Sequence, residues 1–263
     1  EFINEQDLII KSSNRAFSYG DGFFETIKII NSKPVNYPAH YARFSLACEV
    51  LKFKHEETIS SLLSVINNLT NKNKLINGSV KVHVSRKEGG RYQPKSFGCE
   101  IIIISCSGSA FKQNIPLSLC VFTDEVKTMG RLSNIKSVNA SVSVLGAIQA
   151  KELGFENAIL TNIKGNCIEA TNSSLFIVKD NVIYTPPLSD GCIDGTMRAW
   201  VLNNNKIIKK SLSLIDVKNA DEVFITNAIN GITSVNRVEE ISFNSFIYTS
   251  KLQNKLISLS LGL

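Results

Sequence analysis

The chain has 263 residues, 43% of them hydrophobic, with a mean hydropathy of +0.04, which is enough for one large core or two of ordinary size. Its formal charge of +6, from 29 basic and 23 acidic residues, is spread along the chain, and the densest run, Lys206, Lys209 and Lys210, reads as a solvated face. That argues against nucleic acid and leaves small anionic substrates as the natural partners. The longest apolar runs, such as Ile101-Ile102-Ile103-Ile104, are strand-sized and exclude a bilayer span, and the start Glu1-Phe2-Ile3-Asn4-Glu5 lacks the basic and apolar regions of a secretory signal, so a cytoplasmic protein is expected.

Taken in chain order, residues 16–30 combine a glycine-marked turn with a β-branched run and predict a turn feeding a strand. Residues 31–34 predict a hairpin turn. Apolar residues at helical spacing, Phe44, Ala47, Val50 and Leu51, then Leu62, Leu63 and Ile66, predict helices over 38–53 and 59–69. Alternation of Val80, Val82 and Val84 predicts a strand over 79–85. A glycine-rich loop, Glu88-Gly89-Gly90-Arg91-Tyr92, joins it to an apolar strand over 99–106. The composition then turns small and polar, which sets the expected organisation: an N-terminal α/β domain over 1–106, a linker over 107–114 and a second domain over 115–263.

The second domain is expected to open with a strand over 116–122. Val144, Leu145, Ile148 and Leu153 mark a helix that stops at Gly154. Strands are predicted at 158–161, 175–178 and 182–184, the last two joined by the turn Lys179-Asp180-Asn181 and ended by Pro186-Pro187. A helix begins near Thr196, a strand covers 222–226, and 251–259 reads as a helix. The six cysteines, Cys48, Cys99, Cys106, Cys120, Cys167 and Cys192, form no CxxC pair and read as reduced core thiols. His40, His55 and His83 lack metal-ligand spacing, so no zinc site is expected.

The residue that invites a chemical question is Lys136, set in Asn134-Ile135-Lys136-Ser137-Val138-Asn139. A lysine removed from water loses its charge readily and becomes a nucleophile able to form a Schiff base with a carbonyl; a lysine at the surface does neither. The local sequence leaves both readings open.

Its companions narrow the choice. The segments Tyr19-Gly20-Asp21-Gly22-Phe23-Phe24-Glu25-Thr26, His40-Tyr41-Ala42-Arg43-Phe44, Ile135-Lys136-Ser137-Val138-Asn139 and Ile168-Glu169-Ala170-Thr171 follow one another along the chain. Tyr184-Thr185-Pro186-Pro187, Asp194-Gly195-Thr196-Met197-Arg198 and Ala220-Asp221-Glu222-Val223-Phe224-Ile225-Thr226-Asn227-Ala228 complete the series. Together these seven segments resemble the class IV aminotransferase family, the fold-type IV pyridoxal-phosphate enzymes, over essentially the whole chain. The resemblance implies an α+β (mixed α/β) protein of two domains, the larger C-terminal one a β-barrel with helices that binds pyridoxal 5'-phosphate. It also implies a homodimer.

By motif position, Lys136 is then the Schiff-base lysine and the base that moves the substrate proton, and Glu169 keeps the cofactor's ring nitrogen protonated. Arg43, the turn Gly195-Thr196-Met197 and the turn Asn227-Ala228 would grip the phosphate, since a dianion wants a guanidinium and helix N-terminal amides. Tyr19, Glu25 and Arg91 are the expected substrate contacts, Arg91 as a carboxylate fork. Two positions depart from the family pattern: Ser174 stands where an asparagine is usual, and Met197 where many aminotransferases have threonine.

Among the family's activities, Gly195-Thr196-Met197-Arg198, Asn227-Ala228 and the Gly-Gly-Arg loop look more like 4-amino-4-deoxychorismate lyase. That activity releases pyruvate and aromatises the ring to 4-aminobenzoate, on the route to folate. Branched-chain or D-amino-acid aminotransferase is the alternative on the same scaffold, and a non-catalytic cofactor-binding protein is a third reading, against which the presence of both Lys136 and Glu169 argues.

Overall fold

In the computed structural model, which describes residues 2–261, the chain divides into two units, Glu1–Ala110 with Ile135–Asn139, and Phe111–Asn134 with Ala140–Leu263. In the first unit, α1 (Arg15–Tyr19) starts where the Asn14 side chain accepts from the amides of Ala16 and Phe17, and it stops at Gly20, whose φ of +64° lets the chain turn into β1 (Gly22–Ile30). The turn Asn31-Ser32, with φ of +51° and +60°, returns it to β2 (Lys33–Pro34), so the hairpin loop is two residues long. The helices α2 (Tyr37–Leu51) and α3 (Ile59–Lys72) follow, the latter opened by a capping box of Thr58 and Ser61. Then come β3 (Gly78–Arg86) and β4 (Cys99–Ser107).

These strands form an antiparallel sheet in the order β2-β1-β3-β4. The two-residue period separates its faces. Phe23, Ile27 and Ile29 of β1 and Val80, Val82 and Val84 of β3 join Phe44, Ala47, Leu62 and Ile66 of the helices in one buried cluster. Phe24, Thr26, Lys81 and His83 face the other way, Phe24 opposite His83 and Thr26 opposite Lys81. Ile135–Asn139 attaches to the start of β1. Phe24 N donates to Lys136 O at 3.0 Å, Val138 N donates to Gly22 O at 3.1 Å, and Ile135 enters the same core. Residues 135–139, expected in the second domain, thus pack with the first unit.

The second unit contains β5 (Leu117–Val121), α4 (Arg131–Asn134), α5 (Ser141–Glu152), β6 (Asn157–Thr161), β7 (Cys167–Ala170), β8 (Ser173–Lys179) and β9 (Val182–Thr185). It continues with α6 (Thr196–Asn204), β10 (Ile207–Lys209), α7 (Leu214–Lys218), β11 (Glu222–Asn227), β12 (Gly231–Val238), β13 (Ile241–Ser242) and α8 (Ile247–Leu261). Strands β8-β11-β12-β5-β6-β7 pair in that order and β7 pairs back onto β8, so six strands close into a barrel. Closure leaves those six strands without a free edge. Leu119, Ile159, Leu175, Ile177, Val223, Ile225 and Val235 form one core, and Cys120, Phe122, Ala158, Leu160 and Ile168, on the alternate positions, form a second one with Ala150 of α5.

Two expectations need correction. The helix expected from Val144, Leu145, Ile148 and Leu153 exists as α5, but those side chains are 45–57% exposed, and Gly146 and Ala150 are the buried ones. The reason is steric, since a Cβ on Gly146 would stand 2.9 Å from Leu160 Cδ2 and 3.4 Å from Phe122 Cγ, so only the small-residue face packs this closely. The expected linker 107–114 is not a free tether: Ser107 ends β4, Phe111 is buried and Asn114 Nδ2 donates to the carbonyls of Asn230 and Ile232 at 2.7 and 2.9 Å. Strands β7, β10 and β13 run over too few residues to be foreseen, and β12, eight residues long, shows too little alternation. All six cysteines are free, and burial pushes the thiols of Cys48, Cys167 and Cys192 up to about 12, which keeps them protonated and inert; Cys106 is exposed. Among the described residues no helix is long and apolar enough to cross a membrane.

Candidate active site

In the first unit, Lys136 is half-buried and its Nζ lies 4.6 Å from the centroid of the Phe24 ring. Lys81 Nζ lies 4.8 Å from the same centroid, and the His83 ring stacks on Phe24 at 6.1 Å. One aromatic ring thus has two amines close to it, and burial together with the Lys81 charge lowers the pKa of His83, so that imidazole is neutral at pH 7.

On the helix side of the sheet, Glu25 is 2% exposed, and His40 and Arg43, one helical turn apart on α2, both reach it. Arg43 Nε donates to Oε1 at 2.7 Å and Arg43 Nη2 to Oε2 at 2.6 Å, while His40 Nδ1 meets Oε2 at 2.7 Å. Burial alone would raise the Glu25 pKa; the charge and hydrogen bonds of Arg43, with the His40 bond, outweigh it and push it down to about 2 from an ordinary 4.5. Burial lowers His40, against the pull of Glu25 and with the help of the Arg43 and Lys136 charges, so His40 is neutral and donates. Glu25, expected at the substrate, is therefore engaged on both oxygens in holding Arg43 and His40.

A pH dependence follows. A carboxylate depressed on folding contributes stability above its unfolded pKa and loses it as pH falls towards the folded value, and a histidine depressed on folding acts in the same direction. Between pH 4.5 and about 2, unfolding measurements on the wild type are expected to show a loss of about 3 kcal/mol that Glu25→Gln does not share. Equal acid slopes for the two proteins would count against it.

In the second unit the position of Glu169 is set by a β-bulge. Ile159 pairs with Ala170, Leu160 with Glu169 and Thr161 with Cys167, so β7 carries one residue more than β6 over this stretch. The extra residue turns Glu169 to the face of Leu160, although strict alternation from Cys167 would place it in the other core. Along the same face Glu169 pairs with Ser174 and Ser174 with Thr226, a row across three strands. Glu169 is 3% exposed; its Oε2 accepts from Ile193 N at 2.8 Å and its Oε1 forms an ion pair with Lys127. Lys127 is fixed in turn by its own amide, which donates to Thr161 O at 2.8 Å.

The same row meets the phosphate turn. A Cβ on Gly195 would stand 2.5 Å from Ser174 Oγ, so the turn runs directly over the serine, and an asparagine at 174 would have less room. Gly195 is the N-cap of α6 and offers no side chain to the first-turn amides, while Thr196 and Met197 are 4% and 3% exposed. The hydroxyl of Thr226 is buried and makes no hydrogen bond. Asn227 closes the turn before β12, its Oδ1 accepting from the amides of Ile229 and Asn230 and its Nδ2 donating to Ser173 Oγ at 3.0 Å. Ala228, next along that turn, is half-buried.

Within the first unit, then, Lys136, Glu25 and Arg43 come into one neighbourhood, and within the second Glu169, Gly195, Thr196 and Met197 do. Arg91 is exposed, and Tyr19, 44% exposed, is 5.8 Å from Tyr92. Lys127, Lys81 and Thr226 were not foreseen. Lys127 lies 42 residues from Glu169 with no motif of its own, but Lys81 and His83 could have been found as the polar alternates of the strand marked by Val80, Val82 and Val84. Removing the Lys127 amine leaves Glu169 with the Ile193 amide as its donor in a buried setting. Lys127→Met is therefore expected to cost about 2 kcal/mol in thermal unfolding and Lys127→Arg to restore most of it; a Met variant as stable as the wild type would refute the pairing.

A half-buried amine beside an aromatic ring in the first unit, and in the second a buried carboxylate ion-paired to a lysine and a helix N-terminus that starts on glycine, are the groups that a phosphorylated pyridine aldehyde needs. With the barrel fold they define the class of fold-type IV pyridoxal-phosphate proteins. The fit is supported by the unpartnered Thr226 hydroxyl and by the close passage of Gly195 over Ser174 on the row that Glu169 occupies. The model of the family amino-transferase class IV matches residues 22–238, and the chain belongs to that family, whose cofactor is pyridoxal 5'-phosphate.

Its relatives carry different activities. An aminodeoxychorismate lyase of Vibrio harveyi is 27% identical over 261 residues, covering 92% of this chain and 94% of its own. A D-alanine aminotransferase of Staphylococcus epidermidis is 25% identical over 253 residues, covering 91% and 87%. The structure of a branched-chain aminotransferase of Thermoproteus uzoniensis superposes with a TM-score of 0.91 over 99% of this chain and 92% of its own at 18% identity, a likeness of fold.

Proposed function

We propose that the protein is a 4-amino-4-deoxychorismate lyase, forming 4-aminobenzoate and pyruvate. The observation that carries this reading is Phe24 with the amines of Lys136 and Lys81 at 4.6 and 4.8 Å from its ring. A flat ring surface flanked by two cations suits a cyclic amine bearing carboxylates, with Lys81 pairing a carboxylate and Lys136 reaching the carbon next to the amine. The Gly-Gly-Arg loop and the Gly195-Thr196-Met197-Arg198 turn support the same choice.

Bound pyridoxal 5'-phosphate supplies an electron sink for the carbon from which a proton is lost. Lys136 would hold the cofactor through its amine until the substrate's amine displaces it, and its freed Nζ would then take the proton from the ring carbon. Glu169, ion-paired with Lys127, would hold a proton at the pyridine nitrogen. The first-turn amides of α6 and the hydroxyls of Thr196 and Thr226 would hold the cofactor's phosphate, and Arg43 would supply a positive charge for it. Arg91 orients a substrate carboxylate. Because aromatisation drives the elimination, positioning and proton transfer are the protein's main tasks.

The deciding experiment supplies enzymatically made aminodeoxychorismate and follows 4-aminobenzoate fluorescence, with D-alanine and branched-chain amino acids plus a 2-oxo acid in parallel. Fluorescence with the first substrate is expected. Turnover of the amino acids without fluorescence would assign the protein to the aminotransferases. Neither activity, in protein that also fails to take up the cofactor, would point to a non-catalytic role. A homodimer belongs to this proposal, supported by the exposed Val144, Leu145 and Ile148 of α5, and light scattering in solution measures it.

A further inference from the structure

The loop between β3 and β4 presents Arg91 and Tyr92 to solvent, Tyr92 with 91% of its surface exposed. Surface loops of this composition are ordinarily mobile. Here the backbone is tied from beneath. Arg15, the first residue of α1 and only 3% exposed, sends Nη1 to three consecutive carbonyls, those of Gly89 and Gly90 at 3.3 Å and Arg91 at 2.7 Å. Its Nε donates to Asp21 Oδ2 at 2.8 Å, and the same oxygen accepts from Arg86 Nε at 2.9 Å. Arg86, the last residue of β3, also donates to the carbonyls of Leu51 and Lys52 at 2.6 and 3.3 Å. The loop's foundation therefore runs through Asp21 to the end of α2.

The loop also closes on itself. Gly90 pairs with Pro94, and Lys95 N donates to Gly89 O at 3.2 Å. Gly89 and Gly90 have φ of +106° and +79°, and a Cβ on Gly90 would stand 2.1 Å from the Gln93 carbonyl oxygen. Both glycines are thus required by the path, and the path is the one on which three carbonyls turn inward to a single guanidinium. Turning those peptide planes inward fixes the backbone from which the Arg91 side chain leaves.

We propose that Arg15, held by Asp21 and Arg86, is a positioning residue that sets Arg91 in advance for a substrate carboxylate. The proposal rests on the reading of Arg91 as a carboxylate contact and adds what makes that contact effective. A loop ordered before binding spares the substrate the entropy of ordering it, so the gain falls on KM.

Hydrogen exchange and kinetics on the cofactor-loaded protein test it. Arg15→Lys keeps a charge beside Asp21 but loses the fork, and Gly90→Ala distorts the loop without touching the ion pairs. In both, the amides of residues 88–93 are expected to exchange at least about tenfold faster, with those of β1 unchanged. For aminodeoxychorismate, Arg15→Lys is expected to raise KM about tenfold while kcat changes less than about threefold. The double variant Arg15→Lys/Arg91→Met should be no worse than Arg91→Met alone. Exchange that stays at the wild-type rate in Arg15→Lys would overturn the tether, and KM effects that multiply in the double variant would show that Arg15 does not act through Arg91. If exchange rises but Arg91→Met leaves KM unaltered, the carboxylate reading of Arg91 fails, and with it the functional half of the proposal.

Discussion

Lys136→Ala is expected to lower turnover on the order of 10⁴-fold, to abolish the visible absorbance of lysine-held cofactor, and to leave the fold intact. The fold survives because the segment is anchored by its backbone and by Ile135: the Lys136 carbonyl accepts from Phe24 N, Val138 N donates to Gly22 O, and Ile135 is buried in the sheet's core. The side chain itself contributes an amine over the Phe24 ring and a charge that reaches His40. Far-ultraviolet circular dichroism and 4-aminobenzoate formation separate the two effects. A folded alanine variant with more than about a tenth of wild-type turnover would remove Lys136 from the chemistry.

The second large effect concerns stability. Arg43→Met leaves the Glu25 carboxylate, 2% exposed, to its bond with His40, and breaking a buried pair on one side costs about 3–5 kcal/mol. In a chain of this size that lowers the melting temperature on the order of 10 °C. The measurement is made on cofactor-free protein, so that loss of a phosphate contact does not contribute. Glu25→Gln in the same chain removes the stranded charge and is expected to recover at least half of the loss. If Arg43→Met costs less than about 1 kcal/mol, the pair is not holding α2 against the sheet.

Much of the fold could be read from residue patterns because it rests on local physics. Val80, Val82 and Val84 mark β3 by alternation; Phe44 and Ala47, like Leu62 and Ile66, mark the buried faces of α2 and α3; and Asp180-Asn181, with φ of +49° and +62°, turns β8 into β9 as its residue types suggest. The pattern failed where packing overrode hydrophobicity. On α5 the apolar residues point outward, because Gly146 must approach Leu160 more closely than any side chain allows. It failed also at β7, four residues long, where an inserted residue decides which way Glu169 faces.

The sequence by itself determined the family and the chemistry on offer: an amine at 136, a carboxylate at 169, a glycine-led helix start at 195, and the order in which they occur. Their residue types and order are covalent facts. Tertiary structure alone decided their partners. Lys127 meets Glu169 across 42 residues and Arg15 meets the carbonyls of the Arg91 loop across more than 70. Such meetings are set by strand register, bulges and chain closure, which no local period encodes. The ion pair of Glu169 and the pose of Arg91 depend on those meetings, so the tuning of the site belongs to the fold even though its chemistry is written in the chain.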